Sequence, residues 1–180
     1  MKRAAWSVVL LCGAAAIGWA DDKKEVVVDL DGMKSKAPAT WKEEPPASNL
    51  RFMQFSLAAA KGDTDNAEVQ IFKDAGGSVK DNLARWKAQF APPEGKTLDD
   101  VAKVSEIEVG GIKATVLDIE GTFKSPPFDP KYKGAKKEGF RMTALQFQGP
   151  KSLYQIKLIG PAKTVEQYKK GFDEWLKNFK

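Results

Sequence analysis

The stretch VSEIEVGGIKATVLDIEGTF, residues 104–123, decides the fold class of this chain. Two β-rich runs, 104–109 and 112–123, lie on either side of Gly110-Gly111. A two-glycine connection is typical of a tight turn between strands, and strands joined in that way are antiparallel. The stretch therefore predicts a long hairpin within an antiparallel sheet.

The longer strand of this hairpin alternates apolar and charged side chains. Leu117, Ile119 and Phe123 share one face of the strand. Asp118 and Glu120 share the opposite face, because successive side chains of a strand point to opposite sides. A carboxylate pair could serve acid–base chemistry or bind a cation. The alternation favours a simpler interpretation, the solvent-facing side of an amphipathic strand.

Two further strand pairs are predicted elsewhere in the chain. In each pair, a short segment rich in Gly, Asp, Asn or Pro separates two β-rich runs, which is typical of a hairpin. The pairs are 50–58 with 67–73, and 140–148 with 153–159. Another β-rich stretch begins at Val26 and precedes the chain break signalled by Pro45-Pro46.

Two amphipathic helices are predicted, one after each group of strands. Ser78 is the expected N-cap of the first, and Asp81 completes a capping box. Thr164 and Gln167 form the same pattern at the start of the second, after Pro161. Apolar residues spaced three and four positions apart indicate one buried face on each helix. They are Val79, Leu83, Trp86 and Phe90 in the first helix, and Val165, Tyr168, Phe172, Trp175, Leu176 and Phe179 in the second.

The order of strands, helix, strands, helix indicates an α+β fold. Hairpin strands form an antiparallel β-sheet, and amphipathic helices bury their apolar faces against it. We therefore expect residues 21–180 to form a single α+β domain, an antiparallel sheet flanked by two amphipathic helices.

Residues 1–20 have the pattern of a cleavable signal peptide. Lys2 and Arg3 precede an uncharged apolar run, and small residues precede a cleavage site before Asp21. This run is shorter than the roughly 20 residues that span a bilayer, so no transmembrane anchor is expected after cleavage. Lipid attachment at Cys12 is disfavoured because Leu11 stands where a lipoprotein signal has a small residue. We expect an exported protein, periplasmic or secreted.

The composition excludes several kinds of active site. The chain has no histidine, and its single cysteine, Cys12, lies within the predicted signal. Catalysis by Ser-His-Asp or Cys-His, ordinary zinc sites and disulfides are therefore excluded from the mature domain. The formal charge of the whole chain is +5, with both signs interspersed, so no nucleic-acid partner is expected. These features predict a non-enzymatic protein without a cofactor.

The order of elements resembles that of the PsbP-like group of exported domains. The segment 38–42 (PATWK), the strand pair 50–57 with 67–73 and the segment 84–86 (ARW) carry the resemblance, together with the late hairpins and the closing helix. This group is related to the extrinsic protein of the oxygen-evolving complex. The resemblance implies an α/β/α sandwich and an accessory or binding role, and it assigns no functional residue.

The segment 124–141 is the strongest candidate for a binding surface. It has three prolines, two glycines, three aromatic residues and a high density of lysine, which predict a long exposed loop. Its lysines could meet an anionic partner while its aromatic residues insert into that partner. Loops are commonly this polar, so the composition alone favours a solvated connection whose lysines keep it soluble. The candidate partner-binding residues are Phe128, Lys131, Tyr132, Lys133, Lys136 and Lys137.

Three other segments suggest a ligand but fit a structural role better. Segments 29–32 (DLDG) and 63–66 (DTDN) resemble the start of a calcium loop. Thr40 and Asp74 occupy the positions where such loops carry a closing glutamate, so both segments are interpreted as turns. Gly76-Gly77-Ser78 could hold an anion at a helix start, but it lacks the phosphate-loop pattern and favours a plain cap.

Three functional classes remain after these exclusions. The preferred class is an exported, non-enzymatic accessory or binding module with an unknown protein partner. The second is a small-ligand or lipid-binding domain whose pocket between sheet and helix is lined by Phe52, Trp86 or Trp175. The third is a carboxylate-based hydrolase, which would require a pocket around Asp118 or Glu120.

Overall fold

The computed structural model describes residues 25–180. The predicted signal peptide, residues 1–20, and Cys12 lie outside the described residues. The strands are β1 (Val27–Leu30), β2 (Met33–Lys36), β3 (Lys42–Glu44), β4 (Met53–Leu57), β5 (Ala67–Lys73), β6 (Phe90–Ala91), β7 (Ala102–Val109), β8 (Ile112–Lys124), β9 (Lys136–Gln148) and β10 (Leu153–Pro161). The helices are α1 (Val79–Ala88), α2 (Leu98–Val101) and α3 (Ala162–Lys177).

Eight of the strands form one antiparallel sheet. Its order is β3-β4-β5-β10-β9-β8, and both β6 and β7 pair with the outer edge of β8. Strands β1 and β2 form a separate hairpin. This arrangement confirms the predicted α+β class and the three predicted strand pairs.

The turn at Gly110-Gly111 joins β7 to β8 as predicted. Both glycines have positive φ angles, 57° and 80°, a conformation that L-residues rarely adopt. A side chain at Gly110 would also place its Cβ 2.8 Å from the carbonyl oxygen of Phe179. The C-terminal end of the chain thus packs directly against this turn.

One face of the sheet, which we call the first face, is mainly apolar and is covered by α3 and the β1–β2 hairpin. Trp175 of α3 lies with its ring centroid 5.2 Å from that of Trp41, which in turn lies 5.6 Å from that of Phe55. All three side chains are buried in the same core. The main chain of Lys34 and Lys180 exchanges two hydrogen bonds of 2.8 and 3.2 Å, which hold the end of the chain against β2.

The opposite face, the second face, changes from polar to apolar across the sheet. One cross-strand row runs through β4, β5, β10, β9 and β8. Its residues are, in order, Gln54, Gln70, Lys157, Ala144 and Leu117. The apolar half is covered by Trp86 of α1 and Phe90 of β6, which pack on β8 and β9.

Helix α1 starts as predicted but is shorter and turned differently. Ser78 is its N-cap, and its side chain accepts a hydrogen bond from the Asp81 main-chain N–H at 3.1 Å. The helix ends at Ala88, so Phe90 lies in β6 and not on the helix. Val79 is 38% exposed, whereas Asn82 and Trp86 face the sheet. The predicted face was therefore wrong at its N-terminal end, because the covered part of the sheet is polar there.

The predicted capping box of α3 is also wrong. The helix begins at Ala162 with Pro161 as its N-cap, and Pro161 offers no side-chain hydrogen bond. A distant carboxylate serves instead: Asp63 Oδ2 accepts hydrogen bonds from the Thr164 main-chain N–H at 3.0 Å and from its hydroxyl at 2.6 Å. The same hydroxyl accepts a bond from the Ala60 N–H at 3.0 Å. The turn 62–66 thus fixes the start of α3.

The loop predicted over residues 124–141 is shorter than expected. Strand β9 begins at Lys136, so Lys136 and Lys137 belong to a strand that pairs with the end of β8. The two strands are so long that their pairing continues past a register shift between Gly121 and Phe123. Helix α2, capped by Thr97, was not predicted.

We predict that Asp63→Ala lowers the free energy of unfolding by about 1–2 kcal/mol, since it removes a helix cap and leaves buried Thr164 without its acceptor. Denaturation in urea measures the change. The matched control is Asp99→Ala, which removes only the surface ion pair with Lys87, worth less than about 1 kcal/mol. Equal losses of unfolding free energy in the two variants would contradict the capping of α3 by Asp63.

A second prediction concerns Asp31, which closes the β1–β2 turn. Its carboxylate lies 2.7 Å from Lys73 Nζ, and this contact lowers the pKa of Asp31 to about 2 from 3.8. A carboxyl group with a depressed folded-state pKa stabilises the fold above its unfolded pKa, and this stabilisation is lost as the pH falls through the folded value. Asp31→Asn should therefore be less stable than the wild type at pH 6.

The difference in the free energy of unfolding between the wild type and Asp31→Asn should shrink as the pH falls from 4 to 2. Urea denaturation at several pH values measures this difference. The contributions of all other carboxyl groups cancel, because both proteins contain them. Lys73→Met should reproduce the loss at pH 6, because it removes the same contact. A difference that stays constant down to pH 2 would show that Asp31 does not titrate as described.

Candidate binding surfaces on the second face

The loop of residues 125–135 joins β8 to β9 and is folded, although it has no helix or strand. Its two ends meet where the Ser125 N–H donates to the Ala135 carbonyl at 3.1 Å. Within the loop, Asp129 Oδ1 accepts from the N–H groups of Lys131 and Tyr132 at 2.9 and 2.8 Å. Such carboxylate-to-main-chain bonds fix a turn.

Tyr132 anchors this loop to the sheet. Its ring makes edge contacts with Phe123 and Phe140 at centroid distances of 6.3 and 5.6 Å. Burial, reinforced by the charges of Asp65 and Glu68, raises the pKa of Tyr132 above its usual range. The side chain is therefore neutral and acts as a packing group.

Two of the predicted partner-binding lysines are engaged within the protein. Lys131 Nζ lies 3.2 Å from Glu68 Oε1 and donates to the Asn66 carbonyl at 3.0 Å. Lys137 Nζ lies 2.9 Å from Asp65 Oδ2. Both ammonium groups also lie about 5 Å from the centroid of the Tyr132 ring. These contacts tie the loop to the β4–β5 hairpin.

The other three candidates remain available to solvent. Phe128 is 80% exposed, the largest exposed fraction among the large apolar side chains described. Lys133 and Lys136 are exposed, and Lys133 has a positive φ of 49°. The six predicted residues therefore divide into a set with side-chain contacts inside the protein (Lys131, Tyr132 and Lys137) and an exposed set without such contacts among the described residues (Phe128, Lys133 and Lys136).

The carboxylate pair on β8 has a structural partner. Arg141 binds Asp118 through two hydrogen bonds of 2.8 and 2.9 Å, and it also contacts Glu166 of α3 at 2.5 Å. Bonding to Asp118 raises the pKa of Arg141 still further above neutrality. Glu120 is exposed. Arg141 of β9 thus links Asp118 of β8 to Glu166 of α3 on the first face.

The residues proposed to line a ligand pocket are separated by the sheet. Trp86 is buried in the core of the second face, and Trp175 is buried in the core of the first. Phe52 is 45% exposed outside both cores. These three residues therefore do not line one common cavity.

The two segments compared with calcium loops and the glycine pair have structural roles, and the cap that Asp63 provides for α3 is one of them. Asp29 Oδ1 accepts from the Gly32 N–H at 2.7 Å, as expected for a turn. The carbonyls of Gly76 and Gly77 accept bonds from the Asn82 amide at 3.0 and 3.1 Å. Within residues 25–180, no group of three or more acidic, histidine or cysteine side chains is placed to hold a metal ion.

A residue that the sequence analysis missed lies at the centre of the second face. Lys157 is on the middle strand β10, and its Nζ lies 5.3 Å from the Phe72 ring centroid and 5.4 Å from that of Trp86. Burial, followed by repulsion from Arg85 and Arg51, lowers the pKa of Lys157 to about 7 from 10.5. Asp129 opposes this shift only weakly.

The cations near Lys157 differ in their partners. Arg51 is buried and binds Glu68 at 3.2 Å and Gln54 at 2.7 Å. Arg85 is exposed and donates to the side-chain oxygen of Asn82. The sequence does place a lysine between Ile156 and Leu158. This pattern indicates a buried lysine only if the strand is known to be central and covered on both faces.

An open groove of about 530 Å³ lies beside α1 on the outer part of this face. It is lined by Val79, Lys80, Leu83, Ala84, Lys87 and Val104.

Over residues 25–180, the helices are all too short or too polar to cross a membrane.

Comparison with protein-family models and with curated proteins gives no match. Among solved structures, cyanobacterial PsbP (CyanoP) from Synechocystis sp. PCC 6803 is similar over 93% of this chain and 98% of its own, with a TM-score of 0.51 and 13% identity. Another similar structure is PA94 from Pseudomonas aeruginosa, a protein of unknown function for which a regulatory role has been suggested. The match includes 85% of this chain and 94% of PA94, with a TM-score of 0.45 and 13% identity.

The similarity to cyanobacterial PsbP concerns nearly the whole of both chains. It confirms the resemblance found in the sequence, and at 13% identity it is a similarity of fold alone. The antiparallel sheet with helices on both faces is accordingly a PsbP-like α/β fold.

Proposed function

We propose that this protein is an exported, non-enzymatic accessory module that binds a protein partner through the loop of residues 125–135 and the adjoining start of β9. The observation that carries the proposal is the 80% exposure of Phe128 on a loop that is anchored at several points. The export pattern of residues 1–20 supports a role outside the cytoplasm. The PsbP-like fold is compatible with that role.

The anchoring of the loop favours binding over a plain connection. Tyr132 packs between two phenylalanines, and the ion pairs of Lys131 and Lys137 hold the loop to β5 and the turn before it. A segment that is ordered before binding loses less conformational entropy when a partner docks. Phe128 is then presented as an apolar contact with exposed Lys133 and Lys136 at its margin.

Two features favour a non-enzymatic role. The carboxylate of Asp118, the best acid–base candidate in the sequence, is neutralised by two bonds from Arg141. The chain also lacks histidine, and its only cysteine lies in the predicted signal. A structural ion pair accounts for Asp118 without a reaction.

The proposal predicts that the triple variant Phe128→Ser, Lys133→Ser and Lys136→Ser loses its partner. The full-length protein, with a C-terminal tag on a flexible linker, is recovered from the exported fraction together with what it binds. Truncating an apolar contact and its charged margin should reduce partner recovery at least tenfold. Quantitative mass spectrometry measures the recovery, and the same sample identifies the mature N-terminus, expected at Asp21.

Leu50→Ser provides the matched control, because Leu50 is 67% exposed and lies outside the loop. It should recover the partner as well as the wild type does. Circular dichroism should show that all three proteins are folded. Equal recovery by the loop variant and the control would reject the loop as the binding surface, and a mature protein that keeps residues 1–20 would reject cleavage.

A further inference from the structure

Lys157 is in an unusual position for a charged side chain. In the cross-strand row of the second face it lies between Gln70 of β5 and Ala144 of β9, at the boundary between the polar and apolar halves. Its ammonium group approaches the Phe72 and Trp86 rings, and within residues 25–180 it has neither a hydrogen-bond acceptor nor a carboxylate partner. Lysines removed from water are normally paired.

The charges around Lys157 are unbalanced. The four cations of this region are Arg51 from the β3–β4 connection, Arg85 from α1, Lys131 from the loop and Lys157 itself. Among residues 25–180, the carboxylates that face these cations are Glu68 of β5 and Asp129 of the loop. Glu68 is already bound by both Arg51 and Lys131. The region therefore has an excess of positive charge, centred on Lys157 and Arg85.

Several neighbouring side chains are fixed in position. The Gln70 amide donates to Glu68 at 2.8 Å, and Arg51 is held by Gln54 at 2.7 Å. On the other side, the Asn82 amide donates to Gln146 at 2.5 Å, which ties α1 to β9. Lys157 remains partly exposed between these fixed groups. An anion could therefore reach its ammonium group without unfolding the surroundings.

We propose that the second face contains an anion-binding site in which Lys157, supported by Arg85, binds the carboxylate or phosphate group of a small molecule. A bound anion supplies the counter-charge that the protein does not, and charge-assisted hydrogen bonds are the strongest that such a site can form. The aromatic rings beside Lys157 lower the local dielectric constant and so strengthen the attraction. This site is separate from the exposed set on the loop, so it stands independently of the proposed function.

The test is a titration of the folded protein with sodium acetate and, separately, with inorganic phosphate, at constant ionic strength and pH 6. Two-dimensional NMR of main-chain amides should show saturable shifts at β10, the start of β5 and the second half of α1. Lys157→Met, which keeps the length of the side chain but removes its charge, should weaken binding at least tenfold. Lys157→Arg should restore part of it.

Lys170→Met is the matched control, because Lys170 is 90% exposed on α3, on the opposite side of the sheet. It should bind both anions like the wild type. Unchanged affinity in Lys157→Met, or no saturable shift near Lys157 with either anion, would overturn the proposal. Binding of phosphate but not acetate, or the reverse, would support the site and assign its chemical preference.

The pH dependence provides a second readout. Only the protonated amine attracts an anion, and the pKa of about 7 means that Lys157 loses its proton between pH 6 and pH 9. Acetate stays ionised throughout this range. The charged groups that face Lys157 are Arg51, Arg85, Glu68, Asp129 and Lys131. The affinity for acetate should fall at least tenfold. An affinity that is constant over this range would contradict the role of Lys157.

Discussion

The structure depends on a sheet whose two faces have different chemistry. On the first face, Trp175 of α3 joins Trp41 and Phe55 in a continuous apolar contact. The second face is apolar on β8 and β9, but its central row includes Gln70 and Lys157. Polar groups removed from water must find partners, so the second face can only be covered by elements that bring hydrogen bonds or charges with them.

The elements of the second face satisfy that requirement in different ways. Helix α1 buries Trp86 over the apolar half and uses Asn82 to bond the sheet and the preceding glycines. The loop of residues 125–135 brings Lys131 to Glu68, while Tyr132 packs against the apolar half. Lys157 lies between these two coverings without an anionic partner. The same requirement thus explains why the loop is ordered and where an unbalanced charge remains.

Much of the fold could be predicted from local sequence patterns. Features that depend on contacts between distant residues could not be predicted. The Gly110-Gly111 hairpin and the Ser78 cap depend on neighbouring residues, so the sequence indicates both. Thr164 and Gln167 match a capping pattern, yet the real cap is Asp63, 101 positions away. The loop was identified, but only the structure shows that Lys131 and Lys137 form ion pairs within the protein. Lys157 gave no local signal, since its environment comes from four separate segments.

The most direct test is an NMR titration of the lysine side chains in the anion-free protein from pH 5 to pH 11. The spectrum of Lys157→Met assigns the Lys157 signal by its absence. An unpaired ammonium group that is partly shielded from water between two aromatic rings should titrate with a pKa of about 7. A pKa close to the ordinary 10.5 would show that Lys157 is either hydrated or paired with a carboxylate, and it would contradict the unbalanced charge on the second face.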